Sequence, residues 1–450
     1  MLKKLLCLLM ALCLTAGLLA GCGEPTTGPV TDATQPSSNT PAEPVDYAAS
    51  VKLNMNSATV KQEVTVKQFI DGDTTHFNVP ASLMPGGVLK GRYLAINTPE
   101  STGKIEEYGK KASSFTKEKL SSATSIILES ETATWEADST GDRYLVWVWY
   151  RTDENSEYRN LNIEILQNGL AIASSSANNQ YGTTCMAAID QAKAQKLNVF
   201  SGQPDPNFYY GDAIELTLKE LRTNVEDYNG MKVAFNGVVT VNDSQSVYVE
   251  AFDAETNMYY GMSVYYGYNL NGKGLEILTV GNEVRIVGSV QYYEAGGTYQ
   301  VSDLNYRMMK PDDPSNIQKI SEGNKPAFFE TDADKFLNGQ VITVDDEGNE
   351  TVNKYAAMAM STSIEMKGLT VVDSYTTKTE GSASKGAFTL TCMVDGKVVD
   401  VRTTVLLDKN GNLVTADIYE GKTIDVKGIV DYYNGSYQIK VFSADNITIH

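Results

Sequence analysis

Three short stretches of the chain carry residues that could do chemistry. Phe69 to Phe77 (FIDGDTTHF) sets Asp71 and Asp73 on either side of a glycine, Gly91 to Ser101 (GRYLAINTPES) sets Arg92 ahead of Asn97, Thr98 and Glu100, and Asp138 to Trp149 (DSTGDRYLVWVW) adds Arg143. Planar guanidinium forks suit doubly oxygenated anions, while carboxylates hold hard cations or take a proton from water. Each stretch also has an ordinary structural reading. Asp-Gly-Asp-Thr is good turn chemistry, Thr98 with Pro99 and an early glutamate can start a helix, and the third stretch can be a hairpin leading into a buried strand. The rest of the composition narrows the choice. Histidine occurs only at positions 76 and 450, so mechanisms built on a histidine base and histidine-rich zinc sites lack their parts. Any metal would be held by oxygen atoms, which favours calcium, magnesium or manganese.

Read together, the order and spacing of the three stretches resemble the staphylococcal nuclease family, and the likeness continues through EEYGKKASSFTKEKL, ILQNGLAIA and QAKAQKLNVFS. It implies a phosphodiesterase or endonuclease dependent on calcium, with DNA or RNA as substrate. Carried over position by position, Asp73 and Asn97 supply side-chain ligands, the Thr98 carbonyl is a third ligand, and Asp71 stands one layer behind them. Arg92 and Arg143 bind the phosphate, and Glu100 orients or deprotonates the attacking water. This agrees with elementary chemistry, because hydrolysis loads negative charge onto the phosphate oxygens, where guanidinium groups and a dication stabilise it. The family pattern has aspartate where this chain has Asn97. An amide oxygen still ligates calcium but brings no charge, so the expectation is a weakened metal site in an active enzyme. Ser139 and Thr140, and Ser174 to Ser176, replace family residues that touch the nucleotide, which bears on affinity and base preference. The other reading is a catalytically weak or inactive surface protein that binds nucleic acid or protein.

The N-terminus bears on location. Lys3 and Lys4 precede an apolar run to Leu19, and Leu-Ala-Gly-Cys follows, so residues 1–21 are expected to be a lipoprotein signal peptide with Cys22 as the lipidated first residue. An ordinary signal peptide with an incidental cysteine is the alternative. The expected address is the outer face of the cell membrane, with residues 22–50 as a Thr-, Pro- and Ser-rich flexible tether. Of five cysteines, Cys185 and Cys392 remain once Cys7 and Cys13 leave with the leader and Cys22 is lipidated, and they fall in different expected domains, which argues against a disulfide framework.

The elements that must position these residues read as mainly β with an α+β first domain. Residues 51–203 show strand patterning at EVTVKQFI and YLVWVWY and helical spacing at Ala112, Phe115 and Leu120, at Leu161, Ile165, Leu166 and Leu170, and again over 183–200. They are expected to form an OB-type barrel with three helices. The remainder repeats itself: VGNEVRIVGSVQYYEAGGTYQV (280–301) parallels YEGKTIDVKGIVDYYNGSYQI (419–439), and MKVAFNGVVTV parallels SIEMKGLTVVDS. Two OB-like β-barrels, 210–311 and 339–450, with a linker at 312–338, account for this. Charge separates the halves: residues 51–203 hold 15 basic and 17 acidic side chains, and 204–450 hold 20 and 35. The tyrosines of the repeats (Tyr265, Tyr266, Tyr292, Tyr293, Tyr432, Tyr433 and Tyr437) could stack bases, but the acidic balance favours spacer or protein-contact roles.

Overall fold

Five strands build the first barrel: β1 (Lys61–Phe69), β2 (Thr74–Asn78), β3 (Val88–Tyr93), β4 (Ser125–Glu129) and β5 (Tyr144–Arg151). Neighbours run β3-β2-β1-β4-β5, and a parallel pairing of β3 with β5 closes the ring. The apolar run in YLVWVWY is explained by cover on both sides, since Val146 through Tyr150 are all buried. The Trp147 and Trp149 indoles lie edge-on to Tyr181 at 4.9 and 5.6 Å, and their N–H groups donate to Glu131 and Glu129. Truncating such a buried indole costs about 3–5 kcal/mol. The computed structural model describes residues 43–450 except 103, 269, 271, 295, 345–347 and 381. The expected signal peptide, Cys22 and the tether as far as residue 42 lie outside the described residues, and all three barrels belong to one compact unit, Val45–His450. Among the described residues no helix is long and apolar enough to cross a membrane.

Among the described residues three helices of seven residues or more pack on this barrel, α1 (Gly109–Ser121), α2 (Leu161–Gln167) and α3 (Gly182–Ala194), and the last residues of the expected tether join them as a single helical turn, Tyr47–Ser50, that buries Ala48 in the same core. The helical spacing read from the sequence holds for Leu161, Ile165 and Leu166, whereas Leu170 is buried beyond the helix end. Asn160 caps α2, accepting from the Ile163 N–H at 3.1 Å. Cys185 and Cys392 are free, buried thiols, and burial pushes each up to about 12.

The repeat in the sequence is a repeat in space. The second barrel comprises β6 (Lys232–Asn242), β7 (Ser246–Asp253), β8 (Met258–Tyr265), β9 (Glu283–Tyr293) and β10 (Thr298–Ser302), and the third β11 (Ser363–Thr376), β12 (Phe388–Val394), β13 (Lys397–Thr403), β14 (Thr423–Tyr433) and β15 (Ser436–Val441). All three barrels share one strand order: the third strand pairs in parallel with the fifth, and the fourth returns to the first. Three five-stranded barrels of this kind are OB-like. The second glycine of each repeat has a steric cause, because a Cβ on Gly288 or Gly428 would run into the Ser302 or Lys440 carbonyl of the neighbouring strand.

Between the second and third barrels the chain is built into both sheets: Gln318–Ser321 pairs with β9, Phe329–Glu330 pairs with β11, and Ala333–Asn338 is helical. One continuous apolar core runs through both barrels, separate from that of the first. Across the join Glu250 accepts from the Ser363 N–H and hydroxyl at 2.7 and 2.9 Å and from the Ala327 N–H at 2.8 Å. Burial pushes this carboxyl above its ordinary value despite those bonds.

Candidate functional site

Barrel closure brings the three stretches to one place. Asp71 and Asp73 occupy the turn between β1 and β2, and Arg92 is the penultimate residue of β3, opposite Thr74 in the antiparallel ladder. In the parallel pairing Gly91 stands beside Tyr144 and Arg92 beside Leu145, so Arg143, immediately before β5, reaches the same end of the barrel as Arg92. A pairing between strands more than fifty residues apart thus joins the two arginines.

The aspartate turn is held by its own backbone and by α1. The Ile70 and Asp71 N–H groups both donate to the Thr74 carbonyl at 3.2 Å, and the Thr116 hydroxyl donates to the Gly72 carbonyl at 2.6 Å. A Cβ on Gly72 would lie 2.8 Å from both Ala112 Cβ and Thr98 Cγ2. Glycine is required there because the helix and the Thr98 loop press directly on the turn. Asp71 and Asp73 are buried, with exposures of 8% and 4%. The Asp73 carboxylate accepts from the Thr98 N–H at 2.8 Å and the Thr74 hydroxyl at 3.0 Å, and Asp71 accepts from the Asp73 N–H at 3.1 Å.

Arg92 bridges the two expected side-chain ligands. Its Nη2 donates to Asn97 Oδ1 at 2.6 Å, and its Nη1 lies against Asp73 Oδ2 as an ion pair outside hydrogen-bond geometry. Asn97 itself is fixed by a two-residue ladder, Ile96 and Asn97 pairing with Ala173 and Ile172. Ser174 and Ser176 extend that ladder, since the Ser174 N–H and the Ser176 hydroxyl both donate to the Ala95 carbonyl. The serines therefore stitch the loop that carries Asn97. Glu100 sits in a loop folded onto the start of α1. The Glu106 N–H donates to the Glu100 carbonyl at 2.9 Å, and a Cβ on Gly109 would collide with that same carbonyl.

Arg143 has a partner that the sequence pattern does not announce. Its Nε and Nη2 both meet Asp138 Oδ2 at 2.7 Å, and the Asp138 N–H donates to the Arg143 carbonyl at 2.8 Å. Burial works against the Asp138 carboxylate, but hydrogen bonds from Thr140 and Arg143 outweigh it and hold the carboxyl below its ordinary value. The signal was an aspartate five positions before the arginine in the DSTGDR hairpin, which turn chemistry alone explained.

Negative charge exceeds positive charge here. Burial, then the charges of Asp73 and Glu100, push the Asp71 carboxyl up to about 7. Burial, then Asp73 and Glu106, also raise Glu100, against the pull of Arg92 and Arg143. A small hard cation would relieve this crowding, and the donors on hand are carboxylate, amide and carbonyl oxygens. Among the described residues no three Asp, Glu, His or Cys side chains converge as a metal cage. The oxygen donors of Asp73, Asn97 and the Thr98 carbonyl are of the kind that a hard cation such as calcium takes.

A groove of about 620 Å³ opens beside this end of the barrel toward the second barrel, lined among others by Ile70, Ser101, Lys110, Lys117, Tyr265 and Tyr293. Gln291 crosses it to donate to the Ser101 carbonyl at 3.0 Å. The tyrosine pairs do not simply alternate between core and surface: Tyr266 is buried, but Tyr292 and Tyr293 are both 46% exposed.

Residues 90–202 match the family model described as Staphylococcal nuclease homologue, a span that takes in Arg92, Asn97 to Glu100 and Arg143. The first barrel with its helices carries a domain of that family, and the family points to a nuclease or nucleic-acid-binding function. Asp71 and Asp73 precede the matched span and join the site through their contacts with Arg92 and Thr98. No curated protein matches the chain.

Proposed function

We propose that this protein is a calcium-dependent nuclease that hydrolyses phosphodiester bonds of DNA or RNA and works outside the cell, tethered to the membrane by a lipid on Cys22. The observation that supports it best is the convergence of Arg92 and Arg143 on the barrel end that carries Asp71, Asp73 and Glu100. Two guanidinium groups beside one phosphate would neutralise charge that grows as the fifth oxygen bond forms, and each such donor is worth about 2.7–4 kcal/mol of barrier. Asp138 positions the second fork through Nε and Nη2, leaving Nη1 for the phosphate.

Glu100 is the group suited to take the proton of the attacking water. Burial, then the charges of Asp73 and Glu106, raise its carboxyl above the ordinary glutamate value, which strengthens it as a base. Asp73, Asn97 and the Thr98 carbonyl would hold the calcium ion, with Asp71 behind them. When bound, that ion supplies positive charge beside the phosphate oxygens. An oxygen-only site of modest affinity suits millimolar external calcium. The groove toward the second barrel, with Lys110 and the exposed ring of Tyr293, offers a path for the strand beyond the cleaved bond.

One observation favours the second reading, a surface protein that binds nucleic acid without cutting it. Arg92 already neutralises Asp73 and engages Asn97, so a cation has to compete with an internal guanidinium. Digestion of DNA and RNA by the purified chain, with calcium and with chelator, separates the two. Cleavage only with calcium supports the nuclease, and binding without cleavage supports the other.

A further inference from the structure

The sequence repeat of the second and third barrels ends in matched tyrosines that the proposed catalysis does not use. Tyr292 faces Tyr299 across β9 and β10, and Tyr432 faces Tyr437 across β14 and β15. The ring centroids are 5.0 and 5.1 Å apart and the planes meet at 57° and 56°. The two hairpins approach each other, since a Cβ on Gly297 would stand 3.7 Å from the Tyr432 ring. A cleft of about 710 Å³ lies between the barrels, and its wall includes all four tyrosines together with Arg222 and Thr223 from the short helix Leu218–Thr223.

Arg222 is the feature that requires explanation. It is only 6% exposed, yet no carboxylate among the described residues pairs with it. Its Nε and Nη2 donate to the Gly261 carbonyl at 3.0 and 2.5 Å, and Nη2 also meets Met262 Sδ at 3.6 Å. Nη1 has no protein acceptor among the described residues. Burial pulls this guanidinium down to about 10. Taking a charge out of water without a counterion is costly, and an anion brought to it would offset that cost. A second donor beside it is also unanswered, because the buried Thr223 hydroxyl has no partner among the described residues.

We propose that this cleft binds a nucleotide phosphate together with its base, presented either by a free nucleoside monophosphate or by the phosphorylated end of an oligonucleotide. The proposal rests on the reading of the chain as a protein that acts on nucleic acid. With Nε and Nη2 held by the Gly261 carbonyl, Arg222 Nη1 is left to donate to a phosphate oxygen, the Thr223 hydroxyl adds a donor, and the tyrosine faces accept a planar base. The exposed Glu226 and Asp227 at the same cleft repel a long polyanion and favour a ligand with a single phosphate at depth. The site would retain the released product, or a strand end, close to the nuclease domain.

The test is calorimetric titration of the full chain in chelator, which silences calcium-dependent digestion, with adenosine monophosphate, adenosine and inorganic phosphate. Adenosine monophosphate is expected to bind at least tenfold more tightly than either fragment. Tyr432→Ala and Tyr299→Ala each weaken it at least fivefold with an unchanged melting temperature, and Arg222→Lys weakens it where that variant folds. A 5′-phosphorylated pentanucleotide binding more tightly than the mononucleotide assigns the site to strand ends, and equal binding assigns it to free nucleotide. The proposal is overturned if adenosine monophosphate binds no better than its fragments, or if both tyrosine variants bind as wild type. It also falls if Arg143→Ala abolishes the binding, which would place the ligand in the first barrel. Digestion by the wild type in calcium is read in parallel, so loss of one activity without the other shows which of the two readings has failed.

Discussion

Replacing Asn97 by aspartate changes one atom and adds one charge at the point where calcium and Arg92 compete. Asn97 Oδ1 accepts from Arg92 Nη2 at 2.6 Å, while Nη1 of the same guanidinium lies against Asp73. A unit charge about 4 Å from another interacts by about 4 kcal/mol at an effective dielectric of 20, and a dication doubles that attraction. The new carboxylate therefore gains about 8 kcal/mol toward calcium in gross terms. It also gains about 4 kcal/mol toward Arg92, part of which must be given up when the cation enters, and it loses hydration as the site closes. The net is a few kcal/mol at most, and about 1.4 kcal/mol is a factor of ten in affinity. Asn97→Asp is expected to lower the calcium concentration for half-maximal digestion about tenfold, with a similar rate at saturation. Asp73→Asn, which leaves only neutral side-chain ligands, should raise it at least tenfold or abolish digestion. The assay is initial digestion rate against free calcium for the three proteins. An unchanged half-maximal calcium in Asn97→Asp would refute the placing of position 97 at the cation. Activity in that variant alone would show that the natural chain binds without cutting.

Asp138→Asn keeps an oxygen acceptor for Arg143 but removes the charge that orients it, so turnover should fall about tenfold, equivalent to about 1.4 kcal/mol, with the melting temperature within a degree or two. An unchanged turnover would show that Arg143 is positioned by other means. Glu250→Gln should destabilise the joined second and third barrels by about 1–3 kcal/mol at neutral pH, because an amide cannot accept all three bonds that the carboxylate holds. The Glu250 carboxyl is raised by burial, so its protonated form contributes stability that is complete below the unfolded value of about 4.5 and is lost as pH rises through the folded value. Thermal melts should thus show the wild type gaining on Glu250→Gln as pH falls from 7 toward 4.5, and a constant gap would contradict the assignment. Cys22→Ala should move the protein from the detergent phase to the aqueous phase on detergent partitioning, and unchanged partitioning would refute the lipid anchor.

Much of the site was legible in the sequence because its parts are local. Asp71 and Asp73 share one turn, and Arg92, Asn97, Thr98 and Glu100 span nine residues, so order and spacing sufficed to bring them forward. What escaped was pairwise and distant. Asp138 looked like turn chemistry because an aspartate that begins a hairpin satisfies its neighbours whether or not it also holds an arginine. That Asn97 faces Arg92 follows from the ladder with Ile172 and Ala173, and a two-residue strand leaves no periodicity to read. The barrels of the second half were legible through the repeat, down to glycines that a neighbouring carbonyl requires. Their shared core was not, since alternation says which face of a strand is covered and never by what. Arg222 was invisible for the same reason. In the stretch LKELRTNVED it reads as one charge among several on a solvated helix, and only its 6% exposure and its bonds to the distant Gly261 carbonyl show that it is enclosed.

The proposed activity, calcium-dependent cleavage by the first domain, rests on two arginines at one barrel end. The most direct measurement is the rate at which the purified chain digests single- and double-stranded DNA and RNA, with millimolar calcium and with chelator, beside Arg92→Ala and Arg143→Ala proteins shown by circular dichroism to be folded. Digestion by the wild type is expected in calcium only, with a loss of at least a hundredfold in turnover for each variant. Digestion that persists in chelator, or that either folded arginine variant retains at the wild-type rate, would contradict the proposal.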